Sequence, residues 1–334
     1  MSFRSVPVTI LTGFLGAGKT TLLNHIIQAK TNKKFAIIEN EFGEINIDTE
    51  LVMRTDENIF ELSNGCICCS LNGDLFELLN KLVTGKYNYD HLIIETTGIA
   101  DPSAVAATFL TDYNIQTAFK LDGVICLVDV KNVLDVLGVE EEASKQIAFA
   151  DHIIFNKCAE ADGLTIENVK TIVKKINPFA SQSFTDFGKV EVDEILALGA
   201  YDKEQVQFRL GYPSPKTKNV FSIPQQGQHQ DIVSQSYIFE SSFDLIKLRH
   251  YLTVMLFIQG ASFYRIKGIL NIEGLNRKLI IQSVKGAPIF TDGDEWKPDE
   301  KRETRIVFIG KKLRRDILEK GMSQCFFKTT ENVD

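Results

Sequence analysis

GFLGAGKTT at residues 13–21 decides the fold, because it joins an apolar run at 6–11 (VPVTIL) to a segment of helical period at 22–27 (LLNHII). The resulting order is a strand, a glycine-rich turn and a helix. Within it, the spacing fits G-x-x-x-x-G-K-[ST], a pattern that cradles nucleotide phosphates. Glycines let backbone N–H groups approach phosphate oxygens, and the N-terminus of the following helix adds positive potential.

Two side chains of this turn have specific expected roles. Lys19 is expected to reach the β- and γ-phosphates and to stabilise the charge that develops there. The hydroxyl of Thr20 is expected to bind Mg²⁺. The residues predicted to contact the nucleotide in this turn are Gly13, Gly16, Ala17, Gly18, Lys19, Thr20 and Thr21.

Length and composition restrict the class of protein. At about 150 residues per domain, 334 residues predict two domains. A net charge of -7 argues against nucleic acid as the main partner. We find no signal-peptide pattern and no apolar run of the roughly 18 residues that a membrane span needs, so we expect a cytoplasmic protein with no membrane contact. Disulfides are rare in that compartment, so the six cysteines are expected to be free, buried or metal-bound.

The first 210 residues alternate between short apolar segments and segments of helical period. This alternation predicts an α/β domain with a mostly parallel sheet flanked by helices. The predicted strands are 35–38, 59–62, 92–96, 124–128 and 153–155, and the predicted helices are 74–82, 102–110, 140–149 and 165–176, with helical pieces from 193 to 210.

A polar, turn-rich stretch at 211–235 is predicted to be a linker between residues 1–210 and a second domain at 236–334. The second domain has consecutive strand patterns with little helix between them, which predicts a smaller α+β domain with an antiparallel sheet. Its predicted strands are 236–243, 264–272, 278–284 and 305–309, and its predicted helix is 245–258.

The segment IIETTG at 93–98 supplies two further parts of a phosphate site. A carboxylate at the end of a buried strand, here Glu95, can hold Mg²⁺ directly or through water. The N–H of Gly98 can contact the γ-phosphate. We therefore assign Lys19, Glu95 and Gly98 to hydrolysis.

Base selection is expected after the predicted strand at 153–155. Asn156 and Lys157 fit the start of the guanine-reading pattern N-K-x-D, but Ala159 stands where that pattern has Asp. The missing carboxylate normally accepts from guanine N1–H and from the N2 amino group, so its loss weakens discrimination against adenine. Glu160 or Asp162 could substitute if the loop shifts.

Three of the six cysteines, Cys66, Cys68 and Cys69, lie within four residues. In an extended segment the first two point to one side and the third to the other, so a metal site would use one or two of them and recruit further ligands. The nearest donors are Glu39 and Glu44, and thiolate with carboxylate suits zinc. The alternatives are buried apolar cysteines or a redox pair. Elsewhere, Cys126 is expected in the core, and His229 is a candidate auxiliary ligand.

Five segments of the chain occur in a recognisable combination: GFLGAGKTT at 13–21, ENEFGE at 39–44, GCICC at 65–69, IIETTG at 93–98 followed by Ala-Asp-Pro at 100–102, and RIKG at 265–268. Together they resemble the CobW/YjiA-type GTPases, the metallochaperone branch of the SIMIBI class of P-loop proteins. The resemblance spans nearly the whole chain. Its specificity comes from the combination of a P-loop with a CxCC cluster and an E-x-x-G strand end.

The resemblance implies a GTP hydrolase that binds Zn²⁺, or sometimes cobalt or nickel, and couples the state of GTP or GDP to metal delivery to a client protein. The metal ligands it implies are Cys68, Glu39 and Glu44, with Cys66 and Cys69 as further candidates. Asp48 is implied as a switch residue for Mg²⁺ or water. No built-in arginine finger or water-orienting glutamine stands out, so slow turnover is expected. The second domain is expected to offer a surface to the client or to a second copy of the chain.

Two alternatives stay open at this point. A P-loop kinase with structural cysteines would need a basic lid, and no Arg-rich segment of that kind is present in the sequence. A zinc-sensing or zinc-buffering module would bind nucleotide without turnover.

Overall fold

The structure is a computed structural model, and it describes residues 5–30, 32–39, 52–56, 59–63, 73–85, 87–137, 139–202 and 232–328. The chain divides into two compact units, Met1–Tyr201 and Asp202–Asp334. Each unit has its own sheet and its own hydrophobic core.

In the described part of the first unit, eight strands form one sheet in the order β3-β4-β2-β5-β1-β6-β7-β8. All neighbours are parallel except β3 and β4, so the predicted mostly parallel sheet is confirmed. The strands are β1 (Val6–Gly13), β2 (Phe35–Glu39), β3 (Val52–Asp56), β4 (Ile59–Ser63), β5 (His91–Glu95), β6 (Phe119–Asp129), β7 (His152–Asn156) and β8 (Ser181–Phe184).

Eight helices of the first unit lie within the described residues, and several begin at a side-chain cap. The Asp101 carboxylate accepts from the N–H of Ser103, with Pro102 as the first helical residue. Asp162 caps the later helix by accepting from the N–H of Thr165. The helices are α1 (Lys19–Ala29), α2 (Gly73–Thr84), α3 (Pro102–Thr111), α4 (Tyr113–Ala118), α5 (Val133–Leu137), α6 (Glu141–Phe149), α7 (Gly163–Ile176) and α8 (Val192–Ile195).

Strand β1 lies inside the sheet, between β5 and β6. Its residues Ile10 and Leu11 are fully buried, as are Ile93 of β5 and Ile125 of β6. Parallel strands that are covered by helices on both faces read as continuous apolar runs, which is why these segments could be predicted. The central position of β1 places the carboxyl ends of its two neighbours beside the glycine-rich turn.

Four elements of this unit were not predicted, namely β3, β8, α4 and α5. Strands β3 and β8 have the sequences VMRTD and SQSF, which lack a continuous apolar run, and among the described strands each lies at an edge of the sheet. The two helices have six and five residues, too few to show a helical period. Of the range 193–210 where helical pieces are predicted, the described residues contain the four-residue helix α8, and residues 203–210 lie outside the described residues.

The described part of the second unit has five antiparallel strands in the order β12-β11-β10-β13-β9. The predicted α+β domain with an antiparallel sheet is confirmed. Its core includes Phe243, Leu252, Phe308 and Met322, all fully buried. The elements are β9 (Ile232–Phe239), α9 (Leu245–Gln259), β10 (Phe263–Leu270), β11 (Arg277–Val284), β12 (Ala287–Glu295), β13 (Thr304–Lys311) and α10 (Arg315–Ser323).

Strand β9 begins at Ile232, four residues before the predicted strand, and its first four residues belonged to the predicted linker. The early start follows from pairing with β13, which runs from Ile232 opposite Lys311 to Phe239 opposite Thr304. Residues 211–231 of the linker, including His229, lie outside the described residues. Strand β12 was missed because Asp292, Gly293 and Asp294 interrupt its apolar pattern.

Among the described residues, no helix is both long and apolar enough to cross a membrane. Cys126 lies in β6 with its side chain fully buried, so the prediction that it belongs to the core is confirmed. Burial raises the pKa of its thiol to about 12, which keeps it protonated at neutral pH.

His91 gives the first unit a dependence of stability on pH. Its ring is 2% exposed, and Nε2 lies 2.9 Å from Thr9 Oγ1. Burial, helped by the charge of Lys33, lowers the pKa of His91 from 6.5 to about 4. Because the unfolded chain binds a proton at His91 more readily than the folded chain does, the fold has its full stability above pH 6.5. It loses stability as the pH falls from 6.5 toward 4. Linkage predicts a loss of about 2 kcal/mol between pH 7 and pH 5 that is absent from H91Q.

The measurement is urea unfolding of both proteins at pH 7 and pH 5, followed by far-UV circular dichroism. Trp296 is the single tryptophan and lies in the second unit, so its fluorescence reports the other sheet as an internal control. A matched variant is H250Q, because His250 is exposed on α9. Equal pH sensitivity in wild type and H91Q would contradict the assignment.

Candidate nucleotide-binding site

The turn between β1 and α1 is closed by glycines in left-handed conformations. Gly13 has φ 141° and Gly18 has φ 103°, values that favour glycine. A Cβ atom would lie 2.4 Å from the carbonyl oxygen of Leu127 at the first position and 2.5 Å from Nδ2 of Asn156 at the second. Side chains at these positions are therefore excluded by both the backbone and the neighbours.

Lys19 is the first residue of α1 and is 8% exposed. Its Nζ donates to the carbonyl oxygen of Gly13 at 2.8 Å and to that of Phe14 at 3.5 Å. Burial lowers the pKa of the Lys19 ammonium, and the negative charge of Glu95 opposes that shift. The Lys19 amine therefore lies against the turn whose backbone N–H groups can donate to phosphate oxygens.

Thr20 and Glu95 lie together at the start of α1. The Thr20 hydroxyl donates to Glu95 Oε1 at 3.2 Å, although β5 and α1 are far apart in sequence. The parallel register sets Glu95 opposite Leu11, close to the end of β1. A hydroxyl and a carboxylate oxygen are the hard donors that Mg²⁺ takes, so this pair fits the predicted magnesium site. Asp48, the third predicted donor, lies outside the described residues.

Glu39 ends β2 directly opposite Glu95 in the parallel register. Neighbouring strands are about 4.8 Å apart, and register partners point to the same face of the sheet. The first candidate zinc ligand therefore lies beside the candidate magnesium carboxylate.

The other candidate zinc ligands, Glu44, Cys66, Cys68 and Cys69, lie outside the described residues. Within the described ranges, no group of three or more His, Cys, Asp or Glu side chains could hold a metal ion. Zinc binding by the cysteine cluster stays a prediction.

The loop after β5 packs on the glycine-rich turn. A Cβ on Gly98 would lie 2.7 Å from the backbone nitrogen of Leu15, so the two backbones approach closely. Gln146 of α6 is fully buried, and its Nε2 donates to the carbonyl oxygens of Gly98 and Ala100 at 3.0 and 3.1 Å. The sequence analysis missed Gln146. The sequence feature that could have indicated it is a glutamine among the apolar residues of a short helix.

Asn156 connects the phosphate turn to the loop after β8. Its side chain is 2% exposed, its Nδ2 donates to the carbonyl oxygen of Ala17 at 2.9 Å, and its Oδ1 accepts from the N–H of Gly188 at 3.2 Å. The residue predicted to read the base thus has a structural contact with the residue that precedes Gly18.

Lys157 is paired with Asp129, which sequence reasoning also missed. Its Nζ lies 2.8 Å from Asp129 Oδ2, and Asp129 accepts further bonds from Asn132 Nδ2 and the N–H of Lys131. Burial opposes ionisation of Asp129, but these hydrogen bonds, with Lys157 first, hold its pKa below the usual value. The available signal was a carboxylate at the end of a buried strand, as at Glu95.

The structure locates the carboxylates near Ala159, the position that departs from N-K-x-D. Glu160 lies 3.5 Å from Lys131, and Asp162 is the cap of α7. The N–H of Ala159 donates instead to Asp186 Oδ1 at 2.8 Å. Asp186 follows β8 and was not singled out in the sequence.

These parts make up a P-loop nucleotide-binding site: a glycine turn at the N-terminus of a helix, a lysine across the turn, and a hydroxyl and carboxylate pair beside it. The chain belongs to the CobW/HypB/UreG family. The model of that family's nucleotide-binding domain matches residues 7–184, and the C-terminal domain of the cobalamin synthesis protein CobW matches residues 232–326.

Characterised relatives cover most of the chain. The zinc chaperone YjiA of Escherichia coli is 32% identical over 312 residues, which are 92% of this chain and 95% of that protein. The zinc chaperone CobW of a Sinorhizobium species is 29% identical over 91% of this chain and 92% of its own length. The zinc-regulated GTPase metalloprotein activator 1 of Schizosaccharomyces pombe is 39% identical over 60% of this chain, but that match spans only 50% of its length.

The fold agrees with that of a solved relative. The crystal structure of the Zn(II)-bound YjiA GTPase from E. coli superposes with a TM-score of 0.78 at 29% identity, covering 97% of this chain and 100% of the other. The similarity therefore includes both units.

The substitution G18A tests the close approach in the phosphate turn. It adds strain of about 1–2 kcal/mol from the left-handed backbone and displaces the Asn156 amide. We expect GDP affinity to fall at least tenfold, measured by isothermal titration calorimetry. The matched control is G163A, because a Cβ on Gly163 meets no atom within 4 Å. Unchanged GDP affinity in G18A would contradict this reading.

Proposed function

We propose that the protein is a metallochaperone that binds zinc through the CxCC segment and Glu39 and couples its nucleotide state to delivery of the metal to client proteins. The chain is a P-loop GTPase of the CobW type. The single observation that carries the coupling is the register pair Glu39 and Glu95, which joins the candidate zinc segment to the nucleotide site. Zinc is the cargo here, and cobalt or nickel are the alternative cargoes.

The hydrolysis site is proposed to work by positioning and charge. Backbone N–H groups of the turn and Lys19 hold the phosphates, and the Gly98 N–H contacts the γ-phosphate. Mg²⁺, when bound by Thr20 and Glu95, neutralises charge on the phosphate oxygens. Gln146 fixes the carbonyls on either side of Ile99, which restrains the loop that carries Gly98.

The coupling is proposed to run along the end of β2. Its last residue is Glu39, and the ENEFGE segment continues from there. A change in cation or phosphate contacts at Glu95 changes the electrostatic field at Glu39, since two carboxylates on adjacent strands repel each other unless a cation lies between them. GTP with Mg²⁺ would then order residues 39–48 and alter the metal site formed with Glu44, Cys66, Cys68 and Cys69. The second unit is proposed to offer the surface for a client or for a second copy.

The test is a Zn²⁺ titration of reduced, metal-free protein against a chromophoric chelator. It is done without nucleotide, with GDP and Mg²⁺, and with a non-hydrolysable GTP analogue. We expect the zinc affinity to differ at least tenfold between nucleotide states, about 1.4 kcal/mol of coupling. Linkage requires zinc to change the affinity for the GTP analogue by the same factor.

A cysteine variant and a matched control test whether the cysteine cluster binds zinc. C68A is expected to weaken zinc binding by at least tenfold while GDP binding is retained, and the matched control C325A replaces a cysteine buried in the core of the second unit. Equal zinc affinity in all three nucleotide states would overturn the coupling. Phosphate release from GTP, expected to be slow, separates the proposal from a zinc-buffering module, which would release none.

A further inference from the structure

The position that should read guanine lacks its carboxylate, because Ala159 replaces the Asp of N-K-x-D. We propose that Asp186, on the loop after β8, supplies this carboxylate and makes the site selective for guanine. The inference rests on the proposed function and names the residue that determines its nucleotide specificity.

The Asp186 carboxylate is hydrogen-bonded to the backbone of the residue whose carboxylate is missing. Its Oδ1 accepts from the backbone N–H of Ala159 at 2.8 Å. In an Asp at position 159, three covalent bonds would separate the carboxylate carbon from that same nitrogen, a distance of about 3–4 Å. The two carboxylates would therefore occupy neighbouring positions, although they come from residues 27 apart in sequence.

The loop that carries Asp186 is fixed to the Asn156–Lys157 segment on both sides. The N–H of Thr185 donates to the carbonyl oxygen of Phe155 at 2.8 Å, and its Oγ1 donates to the carbonyl oxygen of Lys189 at 2.6 Å. The N–H of Gly188 donates to Asn156 Oδ1. Asp186 therefore has a defined place next to the base-reading segment before any ligand binds.

Backbone strain is concentrated around this contact. Lys157 has φ 62° and Phe187 has φ 54°, two of the four non-glycine residues with positive φ among those described. They lie two residues before Ala159 and one residue after Asp186. Strained backbone of this kind persists where the surrounding structure fixes it, commonly at binding sites.

The other nearby carboxylates have structural partners. Glu160 pairs with Lys131, Asp162 caps α7, and Asp129 accepts from Lys157 and two further donors. In the part of the chain that the structure describes, Asp186 Oδ2 makes no hydrogen bond, and the carboxylate is partly exposed. Asp186 thus has acceptor capacity for a ligand beside Ala159, whereas Glu160 pairs with Lys131 and Asp162 caps α7.

The chemistry of guanine suits this acceptor. Guanine presents the N1–H and the N2 amino group side by side, and an ionised carboxylate only accepts hydrogen bonds. Adenine presents an acceptor at N1 and no amino group at C2, so the same carboxylate would face a lone pair and stay unpaired. A site built to hydrogen-bond a group rejects the analogue that lacks it.

The experiment measures dissociation constants of GDP, ADP and XDP by calorimetry for wild type and D186N. Xanthine keeps N1–H but has a carbonyl at C2, so an Asn amide suits it and a carboxylate does not. We expect GDP affinity to fall at least tenfold in D186N and XDP affinity to rise at least tenfold. A gain for XDP cannot result from unfolding. The matched controls E160Q and D162N should leave both affinities unchanged.

The double variant A159D/D186N places the carboxylate at the family position and should restore GDP binding. If wild type prefers GDP over ADP and D186N keeps that preference without gaining XDP, the inference is wrong and the proposed function stands. Loss of GDP affinity in E160Q or D162N, with D186N unaffected, would assign the role to those residues instead. Equal wild-type affinity for GDP and ADP would overturn guanine selectivity itself, and the inference with it.

Discussion

The rest of the first unit depends on one constraint, the sharp connection from the central strand β1 into α1. Strand β1 lies between two parallel neighbours, so the turn that follows it passes directly beside the ends of β5 and β6. At Gly13 the carbonyl oxygen of Leu127 on β6 lies where a Cβ atom would be. Glycine at that position lets the turn pass close to β6 and brings the first turn of α1 against β5. The hydrogen bond from Thr20 to Glu95 follows from this geometry.

Parallel register then determines which residues meet at this edge. Glu39 lies opposite Glu95, and Asp129 lies opposite Asn156. Each pair comes from strand ends on adjacent strands, and each places a carboxylate beside the nucleotide site. One pair lies on the side of the candidate magnesium and zinc ligands, and the other on the side of the candidate base-reading residues Asn156 and Lys157. The central turn therefore separates two groups of acidic residues with different partners.

The sequence was sufficient to predict those parts of the fold and of the candidate site that depend on a local pattern of residues. That the glycine turn, Lys19, Thr20 and Glu95 lie together could be predicted, because their spacing and the flanking apolar strands lie within short segments. The parallel sheet could be predicted because its buried strands are apolar runs between helices, and the antiparallel sheet because its strand patterns follow one another with little helix between them.

What could not be predicted depends on contacts between distant segments. Asp186 meets Ala159 only because β7 and β8 are parallel neighbours, and β8 was too short and polar to be recognised as a strand. Gln146 of α6 donates to a carbonyl of the loop that follows β5, and the sequence of α6 does not indicate this partner. The start of β9 was misplaced because its first residues pair with β13, a strand about 70 residues later.

The Asn156 amide has a consequence for the mechanics of the site. One planar group of a few atoms is bonded to the phosphate turn through Ala17 and to the base-side loop through Gly188, and it is buried. Displacement of one loop against the other would break at least one of these buried hydrogen bonds, so the amide couples the two loops. A displacement of the phosphate turn that keeps both bonds would therefore also move the base-side loop.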